Sequence, residues 1–271
     1  MIKQAIIPLA GLGTRLLPLT SVFAKELLPI NGKPGLEYIL DECIDSGIKE
    51  IIFIISDKKK MIKDYFYNDI FFRKIIKKKN DKRLITEYKK ILKYKKMIKF
   101  VYQNKPLGTG DAVLKTKKYI KNKYFLMLLP DDLIIKKNCS KSLINIHKKY
   151  KSSVMASMKV KKKDVTRWGI FKIKKKINKN NFFINGVIEK PSIKNAPSLN
   201  AVIGRYILPK EIFKKLKSQK IGKGGEIHIT DAIQSLINDK KKFIGHNFTG
   251  KYLDCGTMNG YIKSSLEISK S

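Results

Sequence analysis

The chain has 271 residues, enough for one large domain or two small ones with a full apolar core, and 43% of them are hydrophobic. Its formal net charge of +37 raises the question of nucleic acid or an anionic surface, yet only five of the 59 basic residues are arginine and the lysines are spread through every segment. Readers of bases and phosphates rely on arginine's planar fork, so this pattern reads as a solvated lysine surface with low-salt affinity for polyanions, and specific nucleic-acid binding is not expected.

In chain order, residues 3–9 form an apolar run that ends in a glycine loop, a buried strand by length and flanks. In "KPGLEYILDECIDSG" (33–47) Leu36, Ile39, Leu40, Cys43 and Ile44 recur at helical spacing, with Pro34 suited to the start and Gly47 to the stop. "EIIFIIS" (50–56) is a second strand, and the lysine-rich segment 57–97 has a mostly helical pattern. A strand at 98–103, a helix at 110–121 and a strand at 124–130 follow. This alternation with continuously apolar strands predicts a Rossmann-like, doubly wound α/β fold, its mixed sheet mostly parallel and covered on both faces. The second half changes character. Residues 169–191 read as a hairpin with Asn-rich turn chemistry, and "NAVIGRYIL" (200–208) as another strand. Helices near 209–217 and 226–238 and a strand near 242–248 come next, then a closing loop and helix with Thr257 as N-cap. With no linker or repeat, the expectation is one domain over 1–271. Its first half covers about 1–135, and a smaller hairpin and helical lobe on the substrate side covers about 136–271.

Three features suggest chemistry. "AGLGTR" (10–15) places Gly11, Gly13, Thr14 and Arg15 directly after the first strand, where backbone N–H groups can approach phosphate oxygens. The dinucleotide fingerprint is excluded because Leu16 stands where its third glycine would be, and no Gly-Lys-Ser/Thr follows. Asp131 and Asp132 follow an apolar strand, at the end where α/β sheets bind ligands, and adjacent strand residues point opposite ways, so one of the two should reach a site. Gln103, at the end of the third strand, carries an amide able to match a pyrimidine's N3–H and carbonyl edge. The cysteines (Cys43, Cys139, Cys255) and three histidines lack metal-ligand or disulfide spacing. A secretory leader and any run near the ~18 apolar residues of a membrane span are also absent, so a cytoplasmic, soluble protein is expected.

Taken together, "AGLGTR" (10–15), "KELLPI" (25–30), "LPDD" (129–132), "EKP" (189–191), "GRY" (204–206) and "EIHITDAI" (226–233) resemble, in the same order, the motifs of the sugar-1-phosphate nucleotidylyltransferases, over about residues 3–262. The resemblance implies that a glucose 1-phosphate oxygen attacks the α-phosphorus of UTP, and that pyrophosphate leaves. Positioning and charge neutralisation would dominate such a reaction. It makes Arg15 and Lys25 the catalytic cations, Arg15 on the triphosphate and Lys25 on the reacting phosphoryl group. Ala10, Gly11, Gly13, Thr14, Gln103 and Gly108 would hold the nucleotide, with uracil against Gln103 and Gly108. Gly169, Glu189 and Lys190 would hold the sugar phosphate, and Asp131 and Asp254 would hold Mg²⁺. A thymidylyltransferase on the same scaffold stays open, and a charge-driven polyanion binder is the alternative of another class. The family also implies a homo-oligomer, a dimer or tetramer, although the chain stops soon after the last matched helix. Three departures from the family pattern stand out: Ala24 in place of a proline, Asp111 where relatives carry an uncharged or histidine side chain, and Asn200 one place later than usual, which weakens any role for it in sugar binding.

Overall fold

The computed structural model describes residues 2–270, apart from the side chain of residue 223. The first apolar run becomes β1 (Gln4–Pro8), followed by a glycine loop and short turns, then α1 (Gly35–Asp45) and β2 (Glu50–Ile55). Three helices, α2 (Lys60–Tyr67), α3 (Ile70–Lys79) and α4 (Lys82–Lys95), lead to β3 (Ile98–Tyr102). Next come α5 (Gly108–Lys115), β4 (Tyr124–Leu128), β5 (Asp132–Ile135), α6 (Cys139–Tyr150) and β6 (Ser153–Lys159). The hairpin β7 (Gly169–Lys176) and β8 (Asn181–Glu189) precedes β9 (Asn200–Pro209), α7 (Ile212–Ser218) and α8 (Ile229–Asn238). The chain closes with β10 (Phe243–Asn247), β11 (Lys251–Asp254) and α9 (Met258–Ser269), whose N-cap Thr257 accepts from the Gly260 amide.

Among the described residues nine strands form one mixed sheet in the order β3-β2-β1-β4-β9-β6-β10-β8-β7. β1, β2, β3 and β4 pair in parallel, while β9 enters antiparallel beside β4. The sheet therefore runs unbroken through both halves of the chain. Its strands are covered on both faces because alternate side chains enter different cores: Ala5 and Ile7 join α1, α2, α4 and α6, whereas Ile6 joins α5, α7 and α8. No helix among the described residues is long and apolar enough to cross a membrane.

The expected helix at 110–121 is shorter, because Thr116 ends it with its hydroxyl on the Val113 carbonyl. The expected helix at 226–238 starts only at Ile229. The segment before it is extended and pairs its Ile227 backbone with Leu107 and Gly110 at the start of α5. β5, α6 and β6 have no counterpart in the sequence reading. β5 pairs with β11, far along the chain, and that partner gives four residues their strand geometry.

Candidate active site

β1 delivers the glycine loop to the carboxyl edge of the parallel strands. Gly13 sits at φ 70°, and a Cβ there would stand 3.1 Å from Thr20 Cγ2, so the turn needs glycine. The Gly13 carbonyl accepts from the Thr20 hydroxyl at 2.8 Å, which folds the loop back on itself and leaves the Arg15 side chain exposed.

The β5–β11 ladder sets Asp254 opposite Asp132, and the Cys255 amide donates to the Asp131 carbonyl at 2.8 Å. Two distant stretches are thereby tied together with Asp131 and Asp254 facing one space over Gly256. A Cβ on Gly256 would stand 2.9 Å from Asp131 Oδ2, 3.2 Å from Asp254 Oδ1 and 3.6 Å from Arg15 Nη2. Lys25 Nζ donates to Asp131 Oδ2 at 2.7 Å, and Arg15 Nη2 lies 3.9 Å from the same oxygen. Asp132 points the other way, as alternation requires, accepting from the Tyr252 hydroxyl at 2.6 Å and the Gly204 amide at 2.8 Å.

Two cavities meet at this cluster. One of about 450 Å³ is lined by Ala10, Gly11, Gly13, Thr14, Lys25, Gln103 and Gly108. The other, of about 720 Å³, is lined by Gly169, Glu189, Lys190 and Asp254. Arg15, Thr109, Leu129 and Asp131 line both. Every site residue expected from the sequence thus borders one cavity or both. Asn200 borders neither and lines a separate cavity with Lys159 and Ile173.

This arrangement matches known proteins along the whole chain. The family model described as Nucleotidyl transferase matches residues 4–271. The chain belongs to the nucleotidyl transferase family. A UTP–glucose-1-phosphate uridylyltransferase 2 of Streptococcus pyogenes serotype M3 is 36% identical over 98% of this chain and 90% of its own length. A crystal structure of UDP-glucose pyrophosphorylase complexed with UDP-glucose superposes with a TM-score of 0.88 at 33% identity, covering 100% of this chain and 99% of that one. The UTP-bound UGPase from Acinetobacter baumannii superposes at 0.91 with 31% identity, covering 99% and 93%. A putative glucose-1-phosphate thymidylyltransferase from Bacillus anthracis, at 20% identity and 0.76, shares the fold.

Within the nucleotidyl transferase site, electrostatics separate the two adjacent aspartates. Burial alone would raise Asp131, but the Lys25 ammonium outweighs it and holds the carboxyl below its ordinary value. Burial alone would likewise lower Lys25, and the Asp131 and Glu26 carboxylates outweigh that and raise it. Asp131 and Lys25 are therefore both charged at neutral pH. Asp132, buried and beside the Asp131 charge, is pushed up to about 6. Among the described residues no group of three or more His, Cys, Asp or Glu side chains could hold a metal ion. Asp131 and Asp254 offer two carboxylates, a donor set that suits Mg²⁺, which takes one or two carboxylates together with water and substrate phosphates.

Three features of the nucleotidyl transferase were not read from its sequence. Arg167 lines the larger cavity and approaches Asp254 Oδ2 at 3.5 Å; the scarcity of arginine that marks Arg15 marks it equally. Arg205, fully buried in β9, has every donor engaged: Nε and Nη2 on Glu42, Nη1 on the Leu129 and Gly204 carbonyls, Nη2 also on the Asp132 carbonyl. It clamps the backbone on both sides of Asp131. The third concerns Gln103, whose amide was expected to offer donor and acceptor together to a base. Its Nε2 instead donates to the Gly108 carbonyl at 3.0 Å and to Asp111 Oδ2 at 2.8 Å, so only its oxygen remains for a base.

Proposed function

We propose that this nucleotidyl transferase moves the uridylyl group of UTP onto glucose 1-phosphate, forming UDP-glucose and releasing pyrophosphate. The observation that carries the proposal is the meeting of the two cavities at Arg15 and Asp131, with Lys25 of the smaller cavity paired to Asp131, which puts a donor-rich glycine loop and a glutamine on one side and an acidic strand end on the other. The activity named for a relative at 36% identity and the ligands of structures at 33% and 31% support uridylyl transfer in particular.

In this reading the first half of the chain binds the nucleotide, through Ala10, Gly11, Gly13 and Thr14 on the phosphates and Gln103 and Gly108 on the base. The second half binds the sugar phosphate through Gly169, Glu189 and Lys190. Glu189 pairs across the hairpin with Gly169, whose bare backbone keeps the sugar's place open: a Cβ there would stand 3.1 Å from Glu189 Oε2. The sugar-phosphate oxygen forms a bond to the α-phosphorus while the bond from that phosphorus to the bridging oxygen breaks, its electron pair leaving on pyrophosphate. Two polyanions must approach, so the site's work is alignment and neutralisation. Arg15, exposed at the junction, takes the departing pyrophosphate; Lys25, held there by Asp131, takes the reacting phosphoryl group. Asp131 and Asp254 would hold Mg²⁺, which would supply further neutralisation of phosphate charge.

Pyrophosphate release tests the reading, with each nucleoside triphosphate offered alongside glucose 1-phosphate or galactose 1-phosphate. UTP with glucose 1-phosphate is the pair used fastest. Faster consumption of dTTP would replace uridylyl by thymidylyl transfer, and absence of turnover with any pair would overturn the proposal.

A further inference from the structure

Gln103 and Asp111 form a side-chain pair beneath the glycine loop, with relative exposures of 5% and 8%. Glutamine's two amide ends are alike in shape, and their assignment follows from their partners. Here the partners leave no choice. The Gly108 carbonyl can only accept, and an ionised Asp111 carboxylate can only accept, so both require the NH₂ end of Gln103. Both amide hydrogens are engaged, and among the described residues no donor reaches Gln103 Oε1. That oxygen belongs to a residue lining the smaller cavity.

We infer that Asp111 is a specificity-determining positioning residue: it locks the Gln103 amide so that only an acceptor faces the base. Asp111 touches no substrate in this scheme and acts through Gln103. Uracil and thymine carry N3–H, a donor that meets the locked oxygen. Cytosine has a lone pair at N3, which would face that oxygen acceptor to acceptor, and its amide partner could not rotate to relieve the clash without leaving the Asp111 carboxylate unpaired. Lys115 Nζ lies 3.7 Å from Asp111 Oδ2, on the same carboxylate. The lock therefore separates uridine from cytidine, and leaves the choice between uridine and thymidine to other contacts.

The inference rests on the uridylyl-transfer reading above. It is tested by comparing kcat/KM for UTP and CTP, each with glucose 1-phosphate, in wild type, Asp111→Ala and Asp111→Asn, with thermal melts to verify folding. Asp111→Ala removes one of the two acceptors that hold the NH₂ end, so that rotation opposes only the Gly108 carbonyl, and the UTP-to-CTP preference falls by about tenfold, the worth of one oriented hydrogen bond. Asp111→Asn keeps an acceptor oxygen for Gln103 and retains the preference to within about threefold. An unchanged ratio in Asp111→Ala, or an equal fall in both variants, overturns this inference alone. Failure of wild type to use UTP overturns the uridylyl reading and this inference with it. Should Asp111→Ala not fold, the wild type decides: the Gln103 side-chain amide, assigned by its disappearance in Gln103→Leu, exchanges its hydrogens slowly in the nucleotide-free protein. Exchange at the rate of a free glutamine would overturn the lock.

Discussion

Replacing Arg205 with methionine tests how the candidate metal-binding turn is held. Arg205 is fully buried, and its partner Glu42 is 8% exposed, with Oε1 also accepting from the Ser140 amide and hydroxyl. The substitution leaves a buried carboxylate without its cation and removes donors from the Leu129 and Asp132 carbonyls. Breaking a buried pair from one side costs about 3–5 kcal/mol. At about 2–4 °C per kcal/mol for a chain of this size, the midpoint of thermal unfolding falls by roughly 6–20 °C. The double variant Arg205→Met, Glu42→Gln removes the charge but keeps an acceptor for Ser140, and recovers at least half of that loss, since removing both partners is far gentler than removing one. Melts followed by circular dichroism read the stability. Initial rates taken well below the melt read the clamp, and fall in both variants because the backbone around Asp131 loosens. A midpoint lowered by less than about 2 °C in the single variant, or a double variant no more stable than the single, would refute the reasoning.

Asp131→Asn lowers kcat by on the order of 10²–10³ with the fold retained, since asparagine still accepts from Lys25; an active variant would remove Asp131 from the reacting centre. Asp131→Ala is the poorer test, because it would strand the mostly buried Lys25 ammonium without its partner at 2.7 Å. Glu189→Ala raises KM for glucose 1-phosphate by about 10–100-fold and leaves KM for UTP near its wild-type value, as loss of sugar contacts alone would do; a matching rise for UTP would contradict the division of the two cavities. His246 and His147 are both held below their ordinary 6.5 by burial, so each is neutral in the fold and takes up a proton on unfolding. Their contribution to stability is full above pH 6.5 and is lost as the pH falls below it. His246→Asn, which preserves a polar partner for Asn181, therefore loses less stability than wild type between pH 7 and 5 in paired melts; an equal loss would clear His246 of the effect.

Much of this protein was legible in one dimension. The buried strands β1, β2 and β4 are covered on both faces and so read as continuous apolar runs, and α1 shows its stripe because one face meets the core. The glycine loop and the paired aspartates announced themselves as polar or conformationally special residues at the ends of apolar stretches, whereas Glu189 and Lys190 were marked only by the resemblance of their motif. Alternation indicated that only one of Asp131 and Asp132 could face a site, yet both line the larger cavity, and what sets Asp132 apart is that its two oxygens accept from Tyr252 and Gly204. What sequence periodicity does not carry is the identity of a partner distant along the chain. β5 is a strand because β11 lies beside it, and that pairing brings Asp254 to Asp131. Arg205 looked like one more residue of an apolar strand, yet it holds the aspartate turn from beneath, through Glu42 on another element. The Gln103 amide could have presented either end to a base, and the choice belongs to Asp111 and the Gly108 carbonyl, a matter of donors and acceptors brought together by folding. The chain's own order determined which chemical groups are present and which strand ends carry them; the fold decided which of them meet, because hydrogen bonds and ion pairs depend on distances that only the packed sheet sets.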